Sequence, residues 1–163
     1  MDYRIVPIAE EHIPGFRSGL DRVAREHRYL AFLEAPPPDA VREFVLGNIR
    51  NNILQFVALV NGEVVGWCDI LPKPRPVFRH TGVLGMGIVE EHRGRGIGTA
   101  LIRTALESAR QRGLKRVELH VRENNKRAIA LYEKFGFVRE GLLRRDVFVD
   151  GAFESSLFMA LLF

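Results

Sequence analysis

The sequence predicts an α/β fold, in the broad sense that includes α+β, with helices on both faces of a mixed, mostly antiparallel central sheet. Three observations support this prediction. Short apolar runs alternate with polar residues as strands do, longer stretches carry apolar residues at helical spacing, and the Asn61-Gly62 dipeptide joins two strand-like runs. The predicted order is strand, two helices, a hairpin continuing into a further strand, helix, strand, helix and a final hairpin. Without a repeat or a linker, this order forms one domain over residues 1–163.

The first elements follow from periodicity and from proline. Residues 3–8 alternate like a strand, and residues 10–30 carry apolar side chains at helical spacing. Three prolines at positions 36–38 end that helix and begin another, because proline fits the first helical turn and disrupts later ones. The apolar positions that we expect to face inward on this second helix are Val41, Phe44, Val45 and Ile49.

An antiparallel hairpin is predicted for residues 55–60 and 63–70. Asn61-Gly62 favours a type I′ turn, whose two central residues both need positive φ. A basic loop with several prolines spans residues 72–79, and an apolar run with spaced glycines at 83–89 predicts a buried strand.

A glycine-rich turn at residues 91–99 connects this strand to a helix that we expect to begin near Ile97 and to end at Gly113. The first amide groups of such a helix are unpaired and lie at the positive end of its dipole, so the turn is suited to binding phosphate. The spacing excludes a dinucleotide fingerprint, because Thr99 stands where a small residue is needed. It also excludes a P-loop, because the chain has no Gly-Lys-Ser or Gly-Lys-Thr.

The remaining elements are a strand at 116–121, a helix and a closing hairpin. Either Asn124 or Asn125 is predicted to cap the helix, which ends at Gly136. The predicted closing strands cover 137–140 and 155–163, and an Asp150-Gly151 turn joins them. The side chains expected to be buried on the helix are Ala128, Leu131, Tyr132 and Phe135.

Composition narrows the function classes. The chain has 163 residues, 47% of them hydrophobic, and no run of 18 apolar residues, so we expect a soluble protein without a membrane partner. No signal peptide is visible, and the single cysteine, Cys68, cannot form an internal disulfide. We therefore expect a cytoplasmic location, with Cys68 in the core. The net charge of +4, mostly from arginine, suits a polyanionic ligand. Nucleic acid remains a minor alternative, since no nucleic-acid or metal-binding signature is present.

Two motifs resemble the signatures of the GNAT superfamily of N-acetyltransferases. Arg93, Gly96 and Gly98 fill the Arg-x-x-Gly-x-Gly pattern of its acetyl-CoA pyrophosphate loop. Residues 125–137 are similar to its second signature, Asn-x-x-Ala-x-x-Leu-Tyr-x-x-x-Gly-Phe. The resemblance covers residues 56–140 well. It implies acetyl-CoA as cosubstrate, no metal, and two central strands that separate to admit the pantetheine arm of the cofactor.

The resemblance also implies roles for individual residues. Tyr132 matches a tyrosine that protonates the departing thiolate, although its position also suits core packing. His120 stands where one branch of the superfamily carries a catalytic glutamate, and it is our candidate base, with Glu118 and Asp69 in reserve. Glycines in the strand would allow a bulge that exposes an amide. The residues expected to bind the cofactor are Met86, Gly87, Ile88, Arg93, Gly94, Arg95, Gly96, Ile97, Gly98, Thr99, Asn125 and Tyr132.

The expected activity is direct transfer of acetyl from acetyl-CoA to a primary amine in a ternary complex. Residues 80–88 and Glu140-Gly141 are similar to a bacterial branch that acts on amino acids or small amines. Protein N-terminal acetylation and a non-catalytic acyl-CoA-binding module remain alternatives. Relatives are often dimers, so a homodimer is one assembly to test. The residues proposed to line the acceptor pocket are Arg25, Glu26, Tyr29 and Glu34.

Overall fold

The computed structural model describes residues 2–163, which form seven strands and four α-helices. In chain order these elements are β1 (Arg4–Pro7), α1 (Ile13–Ala24), α2 (Pro38–Arg50), β2 (Leu54–Val60), β3 (Glu63–Pro72), β4 (Thr81–Ile88), α3 (Ile97–Gln111), β5 (Arg116–Arg122), α4 (Lys126–Lys134), β6 (Val138–Val149) and β7 (Ala152–Leu162). Short 3₁₀ turns occur at Glu10–His12, Pro76–Phe78 and Glu90–His92. Over residues 2–163, every helix is too short or too polar to span a lipid bilayer.

The strands form one sheet in the order β1-β2-β3-β4-β5-β7-β6, in which only β4 and β5 run parallel. The predicted mixed, mostly antiparallel sheet is therefore confirmed. Helices lie on both faces, as neighbouring residues of β3 show. Trp67 packs edge-to-face against Phe16 of α1, with ring centroids 5.7 Å apart. The backbone of Gly66 approaches Leu101 of α3 on the opposite face, because successive strand residues point to opposite sides.

Local turn chemistry explains the hairpins and the end of α3. Asn61 and Gly62 both have positive φ, 51° and 82°, which confirms the predicted β2–β3 turn. Gly113, with φ 84°, follows α3, and its NH bonds to the Arg110 carbonyl while the Leu114 NH bonds to the carbonyl of Ala109. This is a Schellman motif, which satisfies carbonyl groups at the end of the helix.

The inward face of α2 differs from the prediction. Val41 and Val45 are buried, but Phe44 and Ile49 are 39% and 42% exposed. The third inward position is Asn48, whose side chain donates a 2.8 Å hydrogen bond to Gln55 of β2. This polar residue therefore occupies one position of the buried stripe. The two larger apolar side chains, Phe44 and Ile49, lie about 70° around the helix axis on either side of the centre of that stripe.

The closing hairpin is longer than predicted, although Asp150 and Gly151 form its turn with φ values of 51° and 78°. Strand β6 continues to Val149 instead of ending near residue 140, and β7 begins at Ala152. Its pairing with β7 shifts register near residue 140 and again between residues 143 and 147, where Arg145 has φ 56°. These bulges interrupt the alternation on which the sequence prediction depended.

Candidate active site

The strands β4 and β5 separate after a short stretch of pairing. They pair only through Thr81, Gly82 and Val83 with residues 116–118. Beyond this point β4 stays paired with β3 as far as Ile88, and β5 stays paired with β7 as far as Arg122. The expected separation of the two strands is therefore present, and a cavity of about 540 Å³ opens in the gap.

The cavity brings together most of the residues that the sequence analysis selected. Those that line it are Met86, Gly87, Ile88, Arg93, Gly94, Gly96, Gly98, Thr99, His120, Asn125 and Tyr132. Two selected residues do not line it. Ile97 is buried in the core, and Arg95 is exposed.

The turn before α3 presents unpaired main-chain NH groups. Gly94 and Gly96 have positive φ, 74° and 83°, and the first hydrogen bond of the helix is from the Ala100 NH to the Gly96 carbonyl at 3.1 Å. In the part of the chain that the structure describes, the NH groups of Gly94 and of residues 96–99 donate to no protein acceptor. Together with the positive end of the helix dipole, these donors make the turn chemically suited to hold an anion.

Arg127 is a cavity residue that the sequence analysis missed. A Cβ atom at position 94 would lie 2.8 Å from Nη2 of Arg127, so the guanidinium group lies directly against the turn. A glycine at position 94 leaves room for this contact. The signal was present in the sequence, because Arg127 lies inside the second motif, two residues after Asn125.

Arg93 makes contacts within the protein that were not foreseen. Its Nη1 and Nη2 donate to the two carboxylate oxygens of Glu26, and its Nε donates to the Ile88 carbonyl at 2.8 Å. The guanidinium also stacks over Tyr29, 4.9 Å from the ring centroid. The side chain therefore joins the end of β4 to the segment after α1. The predicted contact of the Arg93 side chain with phosphate has no support in this conformation.

The expected bulge in β4 is absent. Pairing between β3 and β4 runs without a shift from Gly66 opposite Ile88 to Pro72 opposite Gly82. Gly87 has a packing role instead, because a Cβ atom there would lie 2.4 Å from the Trp67 ring. The open edge of β4 arises from the lost pairing with β5 and needs no local distortion.

Tyr132 extends from α4 into the cavity and is 7% exposed. Burial raises the pKa of its phenol well above the ordinary value, so the hydroxyl stays protonated at neutral pH. No hydrogen bond joins this hydroxyl to any other residue between 2 and 163. The ring packs against Phe137, with centroids 5.7 Å apart. The ring is packed, as the core-packing alternative predicts, and the residue also lines the cavity, while its role as proton donor stays a prediction.

Three candidate bases differ in their surroundings. His120 is exposed, lines the cavity and packs against Phe158. Glu118 accepts hydrogen bonds from Lys73 and Arg116. Burial alone would raise the pKa of Glu118, but these two bonds outweigh it, so the pKa is lowered and the group is a weak proton acceptor. Asp69 is buried, and desolvation raises its pKa to about 7.

Asn125 both caps α4 and lines the cavity. Its Oδ1 accepts a 3.2 Å hydrogen bond from the Ala128 NH, which settles the choice between the two asparagines predicted as caps. Because the cap uses only the oxygen, the amide nitrogen remains available as a donor at the edge of the cavity.

The segment between α1 and α2 forms one wall of the cavity. Tyr29, Leu30 and Ala31 line it. Arg122, which is buried at the end of β5, holds this wall by donating to the carbonyls of His27 and Leu30 at 2.9 and 2.8 Å.

The other residues proposed for the acceptor pocket lie elsewhere. Arg25 and Glu34 pair with each other on the surface, outside the lining, and Glu26 is paired with Arg93. Of the four residues proposed, Tyr29 alone lines the cavity.

Comparisons with known proteins agree with this geometry. The sequence profile of the acetyltransferase (GNAT) family matches residues 21–137. The chain is 31% identical to the L-amino acid N-acetyltransferase AaaT of Escherichia coli (strain K12) over 139 residues, which cover 84% of this chain and 85% of that protein.

Two solved structures have the same fold. An acetyltransferase of the GNAT family from Streptococcus pneumoniae superposes with a TM-score of 0.92 at 26% identity, covering 99% of this chain and 100% of that one. The putative acetyltransferase YncA from Salmonella typhimurium, solved with acetyl-CoA, gives a TM-score of 0.92 at 17% identity, covering 98% and 93%. The profile match and the relatedness to AaaT establish that this chain belongs to the acetyltransferase (GNAT) family.

Proposed function

We propose that the protein transfers the acetyl group of acetyl-CoA directly to the primary amine of an amino acid or a small amine. The observation that carries this proposal is the cavity in the β4–β5 gap, with the unpaired NH groups of the turn at residues 94–99 and the hydroxyl of Tyr132 on its walls. Membership of the family and the L-amino acid specificity of AaaT support the choice of reaction and acceptor.

The residues present fit acetyl-CoA. The NH groups of the turn would hold the pyrophosphate, and Arg127 adds a positive charge beside them. The edge of β4 from residue 84 to 88 lacks a strand partner on the β5 side, so its main-chain groups would hold the pantetheine arm. When bound, acetyl-CoA supplies the activated acetyl thioester. YncA, which shares the fold, binds acetyl-CoA.

Direct transfer is supported by the state of two side chains. Cys68, the single cysteine of the chain, is fully buried, and burial raises the pKa of its thiol well above the ordinary value, which makes it unsuited to carry an acyl group. Tyr132 keeps its proton at neutral pH and can donate it to a departing thiolate.

The test is release of free thiol from acetyl-CoA with a panel of amino acids, short alkylamines, polyamines and peptides. We expect turnover with at least one amino acid or small amine. Turnover with peptides alone would instead favour protein N-terminal acetylation. Binding of CoA by calorimetry without turnover of any amine would favour a non-catalytic binding module.

The role of the turn has a matched pair of variants at the two ends of α3. Gly96 and Gly113 have nearly the same positive φ, 83° and 84°, and neither would bring a Cβ atom closer than 3.8 Å to a neighbour. Gly96→Ala and Gly113→Ala therefore cost similar backbone strain, ~1 kcal/mol each. Only Gly96→Ala is expected to weaken CoA binding in calorimetry. Equal CoA affinities for the two variants would contradict the proposed phosphate site.

A further inference from the structure

Asp69 is a buried carboxylate without a charged partner. Among residues 2–163 it forms no ion pair with Lys, Arg or His, although it is only 8% exposed. The group lies on β3 directly opposite Gly85 of β4, and Gly85 lines the cavity. A buried carboxylate that lacks a structural partner costs stability, and such groups occur where a protein uses them.

The side chain of Asp69 lies on the face of the sheet that packs against α1. Trp67, two residues earlier on β3, packs against Phe16 of α1, so Asp69 also points to the α1 side. A Cβ atom at position 85 would lie 3.3 Å from Oδ1 of Asp69. The carboxylate therefore leans over Gly85, and the absence of a side chain there leaves the way to the cavity open.

His120 marks the other side of the gap on this face. Val83 pairs with Glu118, and paired residues of parallel strands point to the same side. Two residues farther along each strand, Gly85 and His120 therefore occupy the two sides of the gap on the α1 face. An amine in the gap would have Asp69 behind Gly85 on one side and His120 on the other.

A polar residue is the cross-strand neighbour of the carboxylate on β2. Gln55 on β2 is directly opposite Asp69, a position at which Cβ atoms are about 5 Å apart. Its Oε1 accepts a hydrogen bond from Asn48, while its buried Nε2 has no partner in the described chain. Asp69 therefore faces a neutral amide residue on β2, and His120 lies on the other side of the gap.

We infer that Asp69 is the general base of the reaction and takes a proton from the ammonium group of the incoming amine. The proton passes over Gly85, directly or through one water. The inference rests on the proposed function. In this step an N–H bond of the ammonium breaks, its electron pair becomes the lone pair of the neutral amine, and the proton forms an O–H bond on Asp69. The second N–H proton, lost when the new amide forms, passes through solvent to the Tyr132 phenolate that remains after Tyr132 has protonated the departing sulfur. Asp69 then releases its own proton to solvent, which restores both groups.

The surroundings suit this role. A base works best when its pKa is near the working pH, and burial raises that of Asp69 to about 7. Glu118, by contrast, is held by Lys73 and Arg116. His120 then lines the cavity on the other side of the gap from this base.

The test compares wild type, Asp69→Asn and the exposed control Asp146→Asn across pH 6 to 10 with two amines. Without the base, turnover depends on the fraction of amine that is already neutral. At pH 7 this fraction is about a tenth for an α-amine of pKa about 8 and about 10⁻³ for an alkylamine of pKa about 10.4. We expect Asp69→Asn to lower kcat/KM about tenfold for the first amine and about 10³-fold for the second, with recovery at high pH.

Two outcomes would overturn the inference while leaving the proposed function intact: a wild-type pH profile in Asp69→Asn, or a loss that is equal at every pH and for both amines. CoA calorimetry and thermal unfolding of each variant show whether the fold is kept. A readout independent of turnover is carbon-13 NMR of the aspartate carboxyls in the protein without acetyl-CoA. One aspartate carboxyl should titrate near pH 7 in the wild-type spectra. If no carboxyl titrates there, the proposed role of Asp69 is also refuted. Failure of wild type to acetylate any amine would refute the proposed function instead.

Discussion

The ion pair between Arg93 and Glu26 is expected to stabilise the fold and to position the cavity wall formed by residues 29–31. The two side chains are 19% and 23% exposed, compared with 52% and 51% for the pair formed by Arg22 and Glu91. Coupling in exposed pairs is weak, whereas breaking a fully buried pair costs about 3–5 kcal/mol. For the largely buried Arg93–Glu26 pair we expect a coupling free energy of about 1–2 kcal/mol.

The assay is a double-mutant cycle with Arg93→Met and Glu26→Gln, followed by urea and thermal unfolding. Arg93→Met also removes the donor to the Ile88 carbonyl, so a loss of about 2 kcal/mol is expected, which lowers Tm by ~4–8 °C. The Arg22–Glu91 pair provides the control cycle, with a coupling close to zero. A coupling for the buried pair no larger than that of the control would refute the reasoning. If the ion pair positions the wall formed by residues 29–31, Glu26→Gln should raise the KM for the amine. If Arg93 instead contacts phosphate, that KM should stay unchanged.

Three further predictions concern single residues. Gly87→Ala should cost ~1–3 kcal/mol in unfolding free energy, because its methyl group would overlap Trp67, while Gly141→Ala, which meets nothing within 4 Å, should change it little. Tyr132→Phe should leave Tm within a few degrees of wild type and lower kcat by about 10²-fold, since the hydroxyl has no structural partner. The raised pKa of Asp69 favours folding below pH 3.8, and this contribution is lost as pH rises to about 7. Asp69→Asn should therefore be stabilising at pH 8, by ~4 kcal/mol at most, and less so at pH 4, as urea unfolding would measure.

Features with local causes were predictable from the sequence. The Asn61-Gly62 turn and the end of α3 at Gly113 both depend on positive φ, which few residues adopt. The glycine-rich turn could be located because its glycines stand between a predicted strand and a predicted helix. The unpaired NH groups follow from the start of that helix. The architecture followed from the order of these elements.

Features that depend on distant residues were not predictable. Arg93 and Glu26 are 67 residues apart, and nothing near either position indicates that they pair. Asn48 occupies an inward position on α2 only because Gln55 is there to receive its hydrogen bond, and a hydrophobic pattern cannot show this. The role of Gly87 was likewise set by Trp67, which approaches it from the neighbouring strand.

The register shift in β6 also interrupts an exposed edge of the sheet. Strand β6 lies at the edge of the sheet and exposes Val138, Leu142 and Phe148, a combination that invites a strand from another molecule to add to it. The register shift around Arg145, whose φ is positive, interrupts the row of NH and carbonyl groups that such a strand would need. We therefore expect the irregular hairpin to disfavour the addition of a strand from another molecule. Straightening it would create a template for intermolecular β-sheet.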